Sequence, residues 1–264
     1  MGSSKGRPLN DEILGKEFRN KQGCSFIVVK YEGANSLTIE FAEPYAYTMK
    51  SATKEIKNGC IKNLLFPQVY GVGYLGVGHD SKPVQIEGFD KLVDVYAIWV
   101  AMLGRCYSEK VQIKSPSYIG CTVSKVWHNY QNFLVWYKDS MRGKQGYEVD
   151  KDILVEGNKV YGPDTCCIIP CEINCFFTAT KVTGGRYLTG VQFHSRLNKY
   201  EACIGGGSAG KKIYLGVYAT EREASEVYKE AKRSLLKGLI DKWQDNLDNT
   251  VCEALLKLTV KESH

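Results

Sequence analysis

The sequence has no long apolar run. No stretch approaches the roughly 20 residues needed to cross a bilayer, and the polar opening from Met1 to Asp11 lacks the apolar core of a signal peptide. The chain therefore reads as soluble and cytoplasmic, with no membrane partner. Histidine is scarce, limited to His79, His128, His194 and His264. Also missing is a C-x-x-C pair matched by a second, distant pair, the spacing of zinc ribbons. Structural zinc is not expected, although there are ten cysteines. Reduced cysteines pack as small apolar residues. The densest group is Cys166, Cys167, Cys171 and Cys175, the last two spaced to share a helix face. Gly71-x-Gly73-x-x-Gly76 imitates a dinucleotide fingerprint but lacks the apolar helix that must follow it. His79-Asp80-Ser81-Lys82-Pro83 stands there instead, so the segment reads as a glycine-rich turn.

What is present points to an α+β protein in three parts. The net charge is +6, which permits nucleic acid as a partner without requiring it. Residues 12–80 read as β-rich, with Ser25–Tyr31 and Ser36–Phe41 as a hairpin around Glu32–Asn35. Exposed hairpin edges could pair with a strand of a protein partner. Residues 90–180 begin with an amphipathic helix over Asp90–Tyr107, through Val93, Tyr96, Ala97, Val100 and Leu103. A second helix carries Trp127, Tyr130, Phe133, Leu134 and Tyr137, with Ser124 as its N-cap. Tyr147–Asp150 and Val160–Tyr161 then flank the turn sequence Glu156–Lys159. Pro170 opens a short helix with Ile173, Phe176 and Phe177.

Residues 185–245 give the clearest pattern. Leu188–Phe193, Lys199–Ile204 and Lys212–Tyr218 alternate as three strands. Thr220 and Glu223 form a capping box for a helix with Ala224, Val227, Tyr228, Ala231, Leu235 and Leu239 on one face. The helix must pack on one face of the sheet, which leaves the other open. From Arg186 to Lys212 there are five basic residues (Arg186, Arg196, Lys199, Lys211 and Lys212) and one acid, Glu201. A sheet of this size fits the major groove of B-DNA. The basic residues suit phosphates, and Gln192, His194 and Tyr214 could touch bases. Ala202, Ile204, Ile213 and Leu215 suit the helix side. A last helix is expected over Asn249–Val260.

Thr189-Gly190-Val191, Lys199-Tyr200-x-Ala202-x-Ile204, Ile213-Tyr214-Leu215-Gly216-Val217-Tyr218-x-Thr220 and Glu223-Ala224-x-x-x-Tyr228-x-x-Ala231 resemble the Apetala-type (ethylene-response-factor-type) DNA-binding domain. The resemblance implies a sheet in the major groove, with Thr189, Gln192, His194, Arg196, Lys212 and Tyr214 facing it. Several of these positions are Arg or Trp in plant members, so base specificity does not carry over.

Trp99-x-x-Met102-x-x-Arg105-Cys106-Tyr107, Val149-Asp150-Lys151-Asp152-Ile153 and Asn158-x-x-Tyr161-x-Pro163-x-Thr165-Cys166 resemble phage HNH-type homing endonucleases. That resemblance implies a ββα-metal-type central domain, with magnesium or another divalent cation held against the scissile phosphate of double-stranded DNA. It also implies a phage protein acting inside a bacterial host. Asp150 and Asn174 would be the metal ligands, and Lys151 stands where the general-base histidine belongs. A lysine charged at neutral pH is a poor base. The expected function is sequence-directed DNA binding with metal-dependent cleavage or nicking. The alternatives are an inactive DNA binder on the same scaffold, acting as a phage regulator or anti-defence factor, and a protein-interaction module through residues 12–80.

Overall fold

The computed structural model describes residues 13–141, 144, 146–178, 186–205 and 212–258. They form a mixed α+β protein that divides into two compact units. One unit comprises Met1–Pro83, Asp94–Pro116 and Lys125–Val135; the other comprises Val84–Val93, Ser117–Ser124 and Trp136–His264. The stretch 90–180 is thus divided between the two. Among the described residues, no helix is long and apolar enough to cross a membrane.

The first unit contains an antiparallel sheet in the order β1 (Glu17–Arg19), β2 (Ser25–Gly33), β3 (Ser36–Phe41), β4 (Thr48–Ser51). The period-2 pattern drives it: Phe26 and Val28 from β2 meet Leu37, Ile39 and Phe41 from β3 in one core with Ile61. Phe26 also stacks on Phe18 and meets Phe41 edge-on. Both edge strands are short, a common guard against stray pairing. The helix α1 (Thr53–Lys57) follows.

The next helix, α2 (Val95–Tyr107), starts five residues later than the apolar spacing predicts. The reason is Asp94, whose side chain accepts from the Ala97 amide at 2.9 Å and fixes the first turn. After α3 (Glu109–Lys114) the aromatic helix is split into α4 (Lys125–His128) and α5 (Tyr130–Met141). Asn129 sits at the break and accepts from the Gln131 amide at 3.0 Å. Ser124 is not the cap: its hydroxyl is buried with no partner among the described residues. The aromatic stripe is core, as Trp99 donates to the Trp127 carbonyl at 2.7 Å and Trp127 meets Phe133 edge-on. The glycine-rich segment serves this packing. Gly76 has φ +76°, and a Cβ there would overlap the Asn129 side chain.

In the second unit β5 (Thr122–Val123) pairs in parallel with β7 (Val160–Tyr161), while β6 (Tyr147–Asp150) pairs antiparallel with β8 (Cys167–Pro170). The expected hairpin of β6 with β7 is therefore absent. The chain leaves β6 at once, because Asp150 accepts from the amides of Asp152 and Ile153 at 2.7 and 2.9 Å. The true partner, Cys167–Pro170, is buried along its whole length. It runs straight into α6 (Cys171–Thr178), so two antiparallel strands and a helix follow in order.

The C-terminal sheet has the antiparallel order β11 (Ile213–Tyr218), β10 (Lys199–Ile204), β9 (Val191–His194). It packs on α7 (Glu221–Trp243), with Val191, Ala202 and Ala224 fully inside and Leu188, Tyr200, Leu215 and Tyr218 around them. Thr220 and Glu223 form the expected capping box. Farther along, the buried side of α7 is Lys232, Leu236 and Ile240 rather than Leu235, which is exposed. There α7 and α8 (Asn249–Lys257) share a second core with Ile153, Cys167, Ile169 and Ile173. The strand-strand-helix segment and the C-terminal sheet thus lean on two ends of the same helix.

Candidate nucleic-acid interface

Strand register sorts the C-terminal sheet into two faces. Val191 pairs with Ala202, and Ala202 with Gly216, so this row faces α7; Phe193, Tyr200 and Tyr218 form the next row of the same parity. Between them lies the row Gln192, Glu201 and Val217, of opposite parity. His194 and Lys199 form the following row on that open side. A bulge between Ala202 and Cys203 shifts the register so that Cys203 pairs with Tyr214 and Ile204 with Ile213. It re-aims the start of β11. Ile213, paired with Ile204, keeps the parity of the helix side but is exposed at 43%.

Arg186, Gln192, Arg196, Lys199, Lys212 and Tyr214 are all exposed, Tyr214 at 60%. His194 is half-buried, and its Nδ1 has no hydrogen-bond partner among the described residues. Thr189 is different. At 5% exposure it lies inside the turn before β9 and presents almost no surface to a ligand. Lys211 lies outside the described residues.

Three open-side side chains converge. The Lys212 ammonium donates to Glu201 Oε1 at 2.8 Å and to Gln192 Oε1 at 3.5 Å. The hydrogen bond to Glu201 is the main reason that the Lys212 ammonium titrates above its ordinary value. Glu201 is the sole acid on the three strands. Alternation places Glu201 beside Gln192, but the choice of Lys212 as their shared partner depends on the bulge, which no periodicity shows.

The central set is built differently. Asp150 is turned into the protein, capping two backbone amides, and burial raises its carboxyl pKa above the ordinary value. Lys151 is 8% exposed, and its ammonium donates to Asp152 and to the Asn158 carbonyl. Asn158, which reads as a plain turn residue in sequence, is buried and ties Lys151 to Val160 through three hydrogen bonds of its side chain. Asn174 donates to Glu148, an acid that the sequence pattern did not single out. Burial, and after it a hydrogen bond with Glu148, pushes the Cys171 thiol up to about 11. Among the described residues no group of three or more His, Cys, Asp and Glu side chains is placed to hold a metal.

No family model matches the chain, and neither a curated protein nor a solved structure matches it.

Proposed function

We propose that the protein binds double-stranded DNA through the open face of the β9–β10–β11 sheet. The observation that supports this most is the two-sidedness of the sheet. One face is closed by α7, while the other, with its rim, bears exposed Arg196, Lys199, Lys212, Gln192 and Tyr214 around a single acid. Cations on a narrow sheet suit phosphates on either side of a groove, and the polar side chains between them suit base edges. Binding should weaken with salt, log affinity falling by roughly 0.9 per phosphate contact on a log-salt scale. Arg196→Ala combined with Lys199→Ala is expected to reduce that slope by about 2, with similar losses on every sequence. Fluorescence-anisotropy titrations of the full chain over a salt series measure both. An unchanged slope would sink the assignment of this face.

A second reading, a metal-dependent nuclease, draws on one feature: the antiparallel β6–β8 pair runs directly into α6. Its chemistry needs a metal and a base that activates water. Lys151 is buried against Asp152 and Asp150 is used as a backbone cap, which favours binding without cutting. A plasmid-nicking assay with magnesium and with manganese is expected to show no turnover that depends on Asp150 or Asn174. Cutting abolished by Asp150→Ala and Asn174→Ala would establish the nuclease instead.

A further inference from the structure

An acid at the centre of a face turned toward a polyanion is unfavourable unless it reads something there. Glu201 lies on the central strand, paired with Gln192 on one side and Val217 on the other. Its side chain is mostly covered while its partner Lys212 stays half-exposed. An ionised carboxylate only accepts hydrogen bonds, and it has about four lone-pair sites. Lys212 at Oε1 leaves capacity for another donor and offsets the charge. In the major groove the base donors are the exocyclic amino groups of cytosine N4 and adenine N6; guanine N7 and O6 and thymine O4 are acceptors and would repel it.

We infer that Glu201 is the specificity-determining residue of this face, taking an exocyclic amino group in the major groove, with Lys212 as the brace that positions and neutralises it. The inference rests on the duplex-binding reading above. Gln192 stands close enough across the strands to share the same or the adjacent base pair, since directly opposed Cβ atoms lie about 4.5–5.5 Å apart. Lys212 therefore acts on sequence choice through Glu201, whereas Arg196 and Lys199 act on affinity for any duplex.

The test is selection of binding sites from a randomised duplex pool with the full-length chain, followed by titrations on the selected site and its single-base variants. The unaltered protein should fix cytosine or adenine at one position. Glu201→Ala should lose about tenfold of the discrimination at that position alone, whereas Glu201→Gln, whose amide oxygen accepts and whose amide nitrogen donates, should shift the preference toward adenine. Glu201→Ala should also bind mixed-sequence DNA more tightly, with a salt slope steeper by about 1, because Lys212 is released to a phosphate. Duplexes with N4-methylcytosine or N6-methyladenine at the position separate the two bases, and the one that weakens binding names the ligand. Unchanged base preference in both variants would overturn the inference and leave duplex binding standing, as would an equal loss on all sequences. If the unaltered protein binds no duplex at all, the duplex-binding reading fails first.

Discussion

Gly190→Ala is expected to destabilise the C-terminal sheet by about 3–4 kcal/mol, combining left-handed backbone strain with overpacking. Gly190 has φ +78°, and a Cβ there would overlap the ring of Tyr228. Tyr228 is buried in the first half of α7, so the ring cannot swing into solvent without opening the packing of helix on sheet. The glycine also accepts at its carbonyl from the Cys203 amide at 2.9 Å. A shift that relieved the clash would therefore strain the sheet. The signature is non-additivity. In a Tyr228→Ala background the steric part of the cost disappears, leaving the backbone part of about 1–2 kcal/mol. Urea denaturation, with amide exchange on β9 and β10 to localise the loss, measures the cycle. A cost under about 1 kcal/mol in the unaltered background contradicts the close approach.

The second large effect belongs to Lys232. It is 3% exposed on α7, and its ammonium lies 3.3 Å from the Phe176 carbonyl and 3.5 Å from the centroid of the Phe176 ring. Phe176 is in the last turn of α6, whose final carbonyls lack helical partners, so Lys232 ties the end of one helix to the side of the other. Burial pushes its ammonium down to about 8 from an ordinary 10.5. Below pH 8 both folded and unfolded chains carry the proton, and the folded chain bears the cost of burying the charge. Between pH 8 and 10.5 the unfolded chain binds more protons, so this residue's contribution to stability rises by up to about 3 kcal/mol. Lys232→Met keeps the stem and cannot titrate. Buried Cys166 and Tyr228 act in the opposite sense: pushed up to about 12, they hold protons that the unfolded chain releases first. Absolute stability thus falls toward alkaline pH, and the comparison is between protein and variant at each pH. The stability difference between them should move in favour of Lys232 by about 2–3 kcal/mol from pH 7 to 10.5. A constant difference would mean that the ammonium is solvated.

Local signals were legible in the sequence. The Ser25–Gly33 and Ser36–Phe41 hairpin follows from alternation, and the Thr220–Glu223 box from spacing alone. Pairing across long separations was not. The turn-like Glu156–Lys159 suggested that β6 pairs with β7, whereas the partner of β6 is the apolar Cys167–Pro170, and Asn158 works as a buried clamp. The buried side of α7 escaped for a related reason. It runs Ala224, Tyr228, Lys232, Leu236, Ile240, and a charged residue in the middle conceals a stripe that an apolar pattern would follow to Leu235. In the candidate interface, alternation assigned Gln192, Lys199 and Tyr214 to surface positions, but could not foresee Thr189 turning inward, the bulge after Ala202 or the exposure of Ile213. The central set was readable as residue types only. Whether Asp150 caps a turn or meets a ligand depends on backbone geometry that spacing does not encode.

The helix Glu221–Trp243 has a consequence for dissecting the molecule. Its 23 residues serve the sheet core at one end and the Ile173–Leu255 core at the other, a span of roughly 35 Å at 1.5 Å per residue. A fragment cut just before Arg186 would keep the sheet and α8 but lose Ile153, Cys167, Ile169 and Ile173, leaving the half of the second core formed by Leu236, Ile240 and Leu255 uncovered on that side. Such a fragment should self-associate and melt at a concentration-dependent temperature. Cutting after Trp243 instead would strip Leu247, Val251 and Leu255 from the second core and loosen the distal end of the helix on which the sheet rests. The practical unit of this half of the protein is therefore indivisible, and grafting the sheet elsewhere requires repainting the far half of its helix with polar residues.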